Sequence, residues 1–408
     1  MIRFIDFMSS GHHASYVASL MYEHTSGDDS VEFLISRRLW SNVKLILSDL
    51  GCNLDDMHKN IRHPSEEVEL IFTKGASVSK WRRALLVIKE CRSADVAYGV
   101  RENCFLYLDL VLPFLIIPYV APKSYSGLLF RPRFHYRKFK STPLKKKFRW
   151  HCFSIIQRFV LECVLTRKAC CRVLTLDPFL VNYSSFRGKM RHCPDPILKF
   201  EASNALNSKV FVKVREGAQR KVFLLSGVLG ERKGLTFTLD ALLSLPESVL
   251  TSVTLALAGP IVKNKDLDFV NQKSIKLQEM GCRVVIENRF IDEREMSCWI
   301  DASDVVLIPY QNHIGMSAIL VRATLAGKQI IGTDFGLIGE LIKKYKLGST
   351  YNGSFSQLAR EIRIIIQSPE SDAHGSVASS SCNKLNAFKN YSSRCFYKTL
   401  TCNNLSVR

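Results

Sequence analysis

The sequence predicts an α/β protein built from two doubly wound domains in tandem, each a parallel sheet with helices on both faces. Three observations lead there. A chain of 408 residues exceeds one ordinary core and suits two. Residues 219 to 350 alternate strand-like and helix-like stretches at the spacing of βαβ units. The chain opens on strand, turn and helix, the start of a second such domain.

In order, "MIRFIDF" suits a short strand, "MSSGHH" a turn and "ASYVASLMYEH" a helix. "EFLISRR" and "VELIFTK" look like further strands, with helical "WSNVKLILSDL" and "SKWRRALLVIKECR" around them. "FLYLDLV" and "RVLTLDPFLV" supply later strands, and Pro194 and Pro196 close the first domain, residues 1–200. Residues 201–218 are expected as a linker. The second domain, 219–366, runs from strand "RKVFLLSG" through helix "ERKGLTFTLDALLSLP", strand "VTLALAGP", helix "KSIKLQEMG" and strand "CRVVIENRF". Helix "DEREMSCWIDAS", strand "DVVLIPY", helix "SAILVRATLAG", strand "KQIIGTD" and helix "LIGELIKKYKLG" complete it. Residues 367–408 read as a Ser-rich loop and an amphipathic helix.

Hydrophobic residues make up 47% and charged residues 23%, a globular and not a disordered composition. The 13 cysteines are scattered without a CxxC pair, which fits reduced cytosolic thiols better than a disulfide framework or zinc site. The first residues lack the pattern of a signal peptide. Residues 104 to 122 are long enough to span a bilayer, but Asp109, Pro113, Pro118 and Pro122 favour a buried strand followed by a short helix. The net charge of +20 is uneven: residues 101 to 200 hold 19 Lys/Arg against 5 Asp/Glu. Residues 131 to 149 hold nine basic residues, among them Arg137, Lys138, Lys145, Lys146 and Lys147, with interleaved aromatics and no acid.

Open parallel α/β sheets bind ligands at the carboxyl ends of their strands. Three such ends in the second domain suit a diphosphate. In "SGVLGERKG", Gly227 and Gly230 permit a tight turn, and Arg232 and Lys233 follow at the start of a helix. Cations there oppose the helix dipole. They are either a solvated pair or a phosphate clamp. In "PYQNHIGMSAILVRATLAG", Gly315 and Ser317 precede a helix whose free N–H groups suit phosphate, or Ser317 is an ordinary N-cap. In "GTDFGLIGELI", Glu340 is expected in the first helical turn, as an acceptor for a sugar hydroxyl or as a dipole partner.

Together, "GVLGERKG", "VTLALAGP", "SDVVLIPY" and "GMSAILVRATLAGKQIIGTDFGLIGEL" resemble the two-domain glycosyltransferases of the GT-B fold. The closer likeness is to the large retaining group (glycosyl transferases group 1) that includes sucrose synthase and bacterial polysaccharide transferases. It covers residues 219 to 350 and implies two Rossmann-like domains facing across a cleft. By resemblance, Arg232 and Lys233 hold the donor diphosphate, and Gly227, Gly315, Met316, Ser317 and Glu340 belong to the donor site. The group's pair of glutamates spaced by seven residues falls here on Ile314 and Arg322. Arg322 is left to meet a phosphate or to pair with Glu340.

On the acceptor side, Gly11, His12 and His13 fill the first strand–helix turn. His13 either shuttles a proton or is an exposed polar residue. Asp109 either faces the cleft or is a buried, hydrogen-bonded structural group. The basic segment is a solvated loop, a nucleic-acid surface or an anionic membrane surface. The last is preferred, since no nucleic-acid motif accompanies it. The resulting expectation is a cytoplasmic, peripheral, metal-independent glycosyltransferase using a nucleotide-diphosphate sugar and a glycan or lipid-linked acceptor. Its product would be a surface polysaccharide or glycolipid. An inactive GT-B binding protein and a sugar-nucleotide epimerase are the alternatives.

Overall fold

The computed structural model describes residues 1–9, 12–24, 31–55, 57–73, 78–98, 100–136, 144–182, 186, 188–198, 204–216, 219–261, 264–368, 388 and 390–401. The chain divides into two compact units.

The first unit holds seven parallel strands: β1 (Ile2–Asp6), β2 (Val31–Ile35), β3 (Ile61–Arg62), β4 (Glu102–Phe105), β5 (Tyr125–Leu129), β6 (Cys170–Thr175) and β7 (Met190–His192). Their order is β3-β2-β1-β4-β5-β6-β7. The winding reverses between β1 and β4, so right-handed crossovers place helices on both faces. Every residue of β1, β2, β4 and β5 is buried, and the charges among them are paired, Arg3 with Glu32 and Glu102 with Arg172. Residues 144–149, the end of the expected basic segment, begin the helix Leu144–Thr166. Its Leu161 and Val164 enter the core with Val87, Ile88, Leu112 and Leu115.

The second unit holds six parallel strands: β8 (Lys221–Ser226), β9 (Val253–Ala258), β10 (Arg283–Glu287), β11 (Val305–Ile308), β12 (Gln329–Thr333) and β13 (Gly348–Tyr351), ordered β10-β9-β8-β11-β12-β13. Here the winding reverses between β8 and β11, and the ends of both strands carry the residues singled out in the sequence.

Three sequence expectations change, and the expected terminal helix is present. "VELIFTK" is not a strand: Glu66–Thr73 is a helix with Glu66, Glu67 and Glu69 in its first turn, burying Val68 and Ile71 at helical spacing. "FLYLDLV" is strand only to Phe105, paired with Ile5 at the end of β1, and Asp109 lies in the short helix Leu108–Val111. Residues expected as a linker contain the helix Asn204–Arg215, which buries Val210 and Val214, four apart, and packs on the helix Glu293–Ala302. The terminal helix, Ser393–Thr401, packs on the first unit against His13–Glu23, with Phe396 and Leu400 fully buried. Most of the Ser-rich segment lies outside the described residues. Among the described residues, no helix is long and apolar enough to cross a membrane.

Candidate functional site

In the second unit, β8 ends at Ser226 and the chain turns at Gly227 (φ 99°), a left-handed conformation that favours glycine. The 3₁₀ turn Glu231–Lys233 follows, closed by Gly234 (φ 74°). The turn lies so close to the end of β11 that a Cβ on Gly234 would sit 2.2 Å from the Pro309 carbonyl oxygen. The Arg232 carbonyl accepts a hydrogen bond from the Gln311 N–H at 2.9 Å. These contacts fix the direction of both cations.

Lys233 is 8% exposed. Its ammonium donates to the Tyr310 hydroxyl and lies 4.1 Å from that ring's centroid. It also passes over Gly227, where a Cβ would stand 3.1 Å from Nζ. Among the described residues, no carboxylate pairs with it. Arg232 is exposed, its guanidinium carbon 6.0 Å from the Tyr310 centroid. One buried cation and one exposed cation therefore share the face of Tyr310, a residue the sequence reading passed over as a strand end.

The second strand end meets the first. Ser317 N-caps the helix Ala318–Leu325 by accepting from the Leu320 N–H, and its hydroxyl donates to Tyr310 Oη at 3.3 Å. Ser317 thus caps the helix and also joins the cationic cluster through Tyr310. Gly315 and Met316 are buried beside it, and His313 stands edge-on to Tyr310 with centroids 5.5 Å apart. Ile314 is 4% exposed, and its carbonyl accepts from the Leu337 N–H. Gly336 (φ 68°) makes that approach possible, since a Cβ there would stand 2.7 Å from the His313 carbonyl oxygen. Ile314 therefore forms packing between two loops.

Two expectations are corrected. Arg322 does not pair with Glu340: its guanidinium donates to the carboxylate and, at 3.2 Å, to the carbonyl of Glu293 on the neighbouring helix. Glu340 is not in the first turn of its helix, Gly336–Tyr345, but is the fifth residue, and it is exposed. Glu293 was missed because nothing near it in sequence marks it as the partner of Arg322.

In the first unit, a separate cluster stands at the carboxyl ends of β1, β4 and β5. His13 Nδ1 and Asp6 Oδ2 are 2.6 Å apart, and Asp6 also accepts from the Met8 N–H at 2.9 Å. Burial by itself would lower the His13 pKa; the charge and hydrogen bond of Asp6 more than offset it, and the pKa is raised. Tyr107 stands edge-on to the imidazole and Phe130 stacks on it, with centroids 5.3 and 6.0 Å away. Asp109 lies on the short helix that follows β4. Its carboxylate accepts the N–H groups of Phe130 and Arg131 at 2.7 and 3.2 Å, and burial raises its pKa. It holds the Phe130 loop that packs on His13. Tyr16, on the same helix as His13, donates to Asp195, between Pro194 and Pro196, at 2.6 Å. Asp6 had a sequence signal: it is the acid that ends an apolar strand. Gly11, Arg137 and Lys138 lie outside the described residues. Lys145, Lys146 and Lys147 fall in the first turn of the helix Leu144–Thr166.

No family model matches the chain, and no curated protein matches it in sequence. Solved structures do. HepE of Anabaena, in complex with UDP and glucose, aligns at a TM-score of 0.63 and 16% identity, over 98% of this chain and 97% of that one. The two parallel sheets, of seven and six strands with flanking helices, match the two-domain Rossmann-like architecture of these neighbours. This is the GT-B fold. Other GT-B neighbours are sucrose-phosphate synthase of Thermosynechococcus elongatus (TM-score 0.62, 14% identity, 98% and 96% covered) and WaaG, a glycosyltransferase involved in lipopolysaccharide biosynthesis (0.57, 13%, 98% and 97%). At these identities the GT-B likeness establishes the glycosyltransferase fold, and the chemistry has to be argued from the side chains.

Proposed function

We propose that the protein transfers a sugar, with retention, from a nucleotide-diphosphate sugar to a glycan or lipid-linked acceptor, in the assembly of a surface polysaccharide or glycolipid. The observation that carries the reading is Lys233: an ammonium held under cover at a strand's carboxyl end, without a carboxylate partner among the described residues. A buried cation without a counter-charge is costly. A diphosphate in the crevice supplies that charge, with Arg232 forking onto its outer oxygens and the N–H groups that start the helix Ala318–Leu325 completing the cradle.

The slow part of glycosyl transfer is departure of the diphosphate. Fixed cations and helix N-termini stabilise the charge that develops on it, so the reading assigns that role to Arg232, Lys233 and the helix start, and no metal. The Asp6–His13 pair supplies a group able to take or return a proton at an acceptor hydroxyl. The UDP held by HepE makes a uridine donor the first to try.

The test is a thermal-shift screen with UDP, GDP, ADP, TDP, CMP and their common sugars, on wild type and on the Arg232→Ala, Lys233→Ala double variant. Stabilisation follows affinity by mass action. A shift with one nucleotide, absent in the variant, supports the donor site and selects the base for a turnover assay. Binding without turnover on any acceptor would replace the transferase with a nucleotide-binding protein. No shift with any nucleotide would sink both.

A further inference from the structure

The first unit has a second concave surface, at the amino ends of its strands and so at the opposite end of the sheet from His13. An open trough of about 1260 Å³ lies there between the helix Lys80–Tyr98, the 115–125 segment and the turn before β6. Small-molecule pockets run to about 300–1,000 Å³ and enclose their ligand, so this shape suits a chain better than a compact ligand. Lys89, Arg92, Arg101, Lys123, Arg167 and Lys168 line the trough, with no acid among its lining residues. Three of the cations follow the sheet. Arg101 stands just before β4, Lys123 shortly before β5 and Lys168 shortly before β6, and these strands are neighbours in that order. Adjacent strands lie about 4.8 Å apart, so the three positions form a row about 10 Å long.

The protein does not neutralise this row itself. Among the described residues none of Arg92, Arg101, Lys123, Arg167 and Lys168 makes an ion pair. The acids nearest to them in sequence are engaged elsewhere: Glu90 by Ser65, Glu102 by Arg172 and Ser126, and Glu162 by Arg158. Arg92 and Arg167 each donate to one carbonyl, of Tyr119 and of Ile116. Those bonds fix both guanidiniums against the 115–125 segment and leave each with further N–H donors. Between the cations the wall is apolar. Leu85 is 44% exposed and Tyr119 86%, and both line the trough together with the buried Ile88 and Leu115. A chain of phosphates would satisfy the charges and leave the apolar wall uncovered. A peptide with apolar side chains between its acids covers both, with the cations as the polar rim of a protein interface and Leu85 and Tyr119 as its apolar centre.

We propose that this trough binds an extended acidic segment of a partner protein, its carboxylates on Arg101, Lys123 and Lys168 and its apolar side chains on Leu85 and Tyr119. A partner held there leaves the carboxyl ends of the strands, with the Asp6–His13 pair, uncovered. The proposal does not depend on the transferase reading, and its test uses neither donor nor turnover.

The experiment selects random peptides displayed on phage against the full chain, then titrates the recovered peptides, fluorophore-labelled, by anisotropy. Wild type is expected to enrich sequences in which Asp or Glu alternate with Leu, Phe or Trp. Arg101→Ala, Lys123→Ala, Lys168→Ala together should weaken their binding about 5- to 100-fold. Leu85→Ser, Tyr119→Ser together should weaken it about fivefold or more. All five positions are exposed, so both variants should keep the fold, which circular dichroism checks. No enrichment, enrichment of peptides without acids, or equal binding by wild type and the cation variant would each overturn the proposal. Binding that ignores Leu85→Ser, Tyr119→Ser and is matched by inorganic polyphosphate would overturn it as well, since charge alone would then be read.

Discussion

Replacing Lys233 by Met separates a ligand-binding cation from a structural one, because the two roles move stability and affinity differently. The change keeps the length of the side chain and removes its charge. In the free protein it forfeits a cation–π contact over Tyr310, worth about 1–2 kcal/mol when desolvated, and a hydrogen bond to its hydroxyl worth about 1 kcal/mol. It also relieves the burial of an ammonium that has no carboxylate partner among the described residues, a penalty of several kcal/mol. The net is expected to lie within about 1 kcal/mol of wild type, or on the stable side. In the complex the variant loses a charge-assisted bond to phosphate of about 1.5–3 kcal/mol, so Kd for the nucleoside diphosphate should rise about 10- to 150-fold. Denaturant melts of the free protein and calorimetric titration with UDP measure the two quantities. A variant that loses more than about 2 kcal/mol of stability while binding UDP as tightly as wild type would refute the assignment.

Other predictions follow from the same geometry. Gly259→Ala should cost about 2–4 kcal/mol and abolish the nucleotide-induced shift, because φ is 135° and the new Cβ would stand 2.0 Å from the Gly227 carbonyl oxygen; a thermal melt within one degree of wild type, on the order of experimental error, would contradict it. Asp6→Asn should lower the His13 pKa, read by NMR titration. Since the folded pKa is raised, the pair's stabilisation is present below the unfolded value and is lost as pH rises through the folded one, and the variant should lack that loss. His192 behaves oppositely. Burial holds its pKa down to about 4, and Nε2 has no hydrogen-bond partner among the described residues. Stability should therefore fall as pH drops from the unfolded value toward about 4, by up to about 3 kcal/mol, and His192→Phe should flatten that limb of the urea-melt profile.

The second unit was legible because its central strands β8, β9, β11 and β12 are almost wholly buried apolar runs, and because Gly281 and Gly327 follow the ends of two of its helices, so these boundaries have a local cause. The first unit was less so. A short apolar run such as "VELIF" carries no period long enough to separate strand from helix, and it was settled by packing against Lys80–Tyr98. Strand β5 hid behind prolines and Gly127, where a Cβ would stand 2.8 Å from the Phe105 carbonyl oxygen. Sequence placed Arg232, Lys233 and Ser317 at the right strand ends. It did not show that Tyr310 gathers them, that Glu293 holds Arg322, or that Asp109 supports a loop. Those facts depend on residues distant in the chain, which local pattern does not encode.

The return of Ser393–Thr401 to the first unit bears on how the molecule is made. Phe396 lies against Tyr16, Ser393 donates to Glu23, and the Leu400 carbonyl accepts from Arg172 at 2.7 Å. During synthesis the whole second unit emerges before this helix does, so the unit begun first is finished last. Until then, Tyr16 and the surrounding helix face stand uncovered. A nascent chain with such a gap is a substrate for holdase chaperones, and a fragment cut between the units would inherit the gap for good.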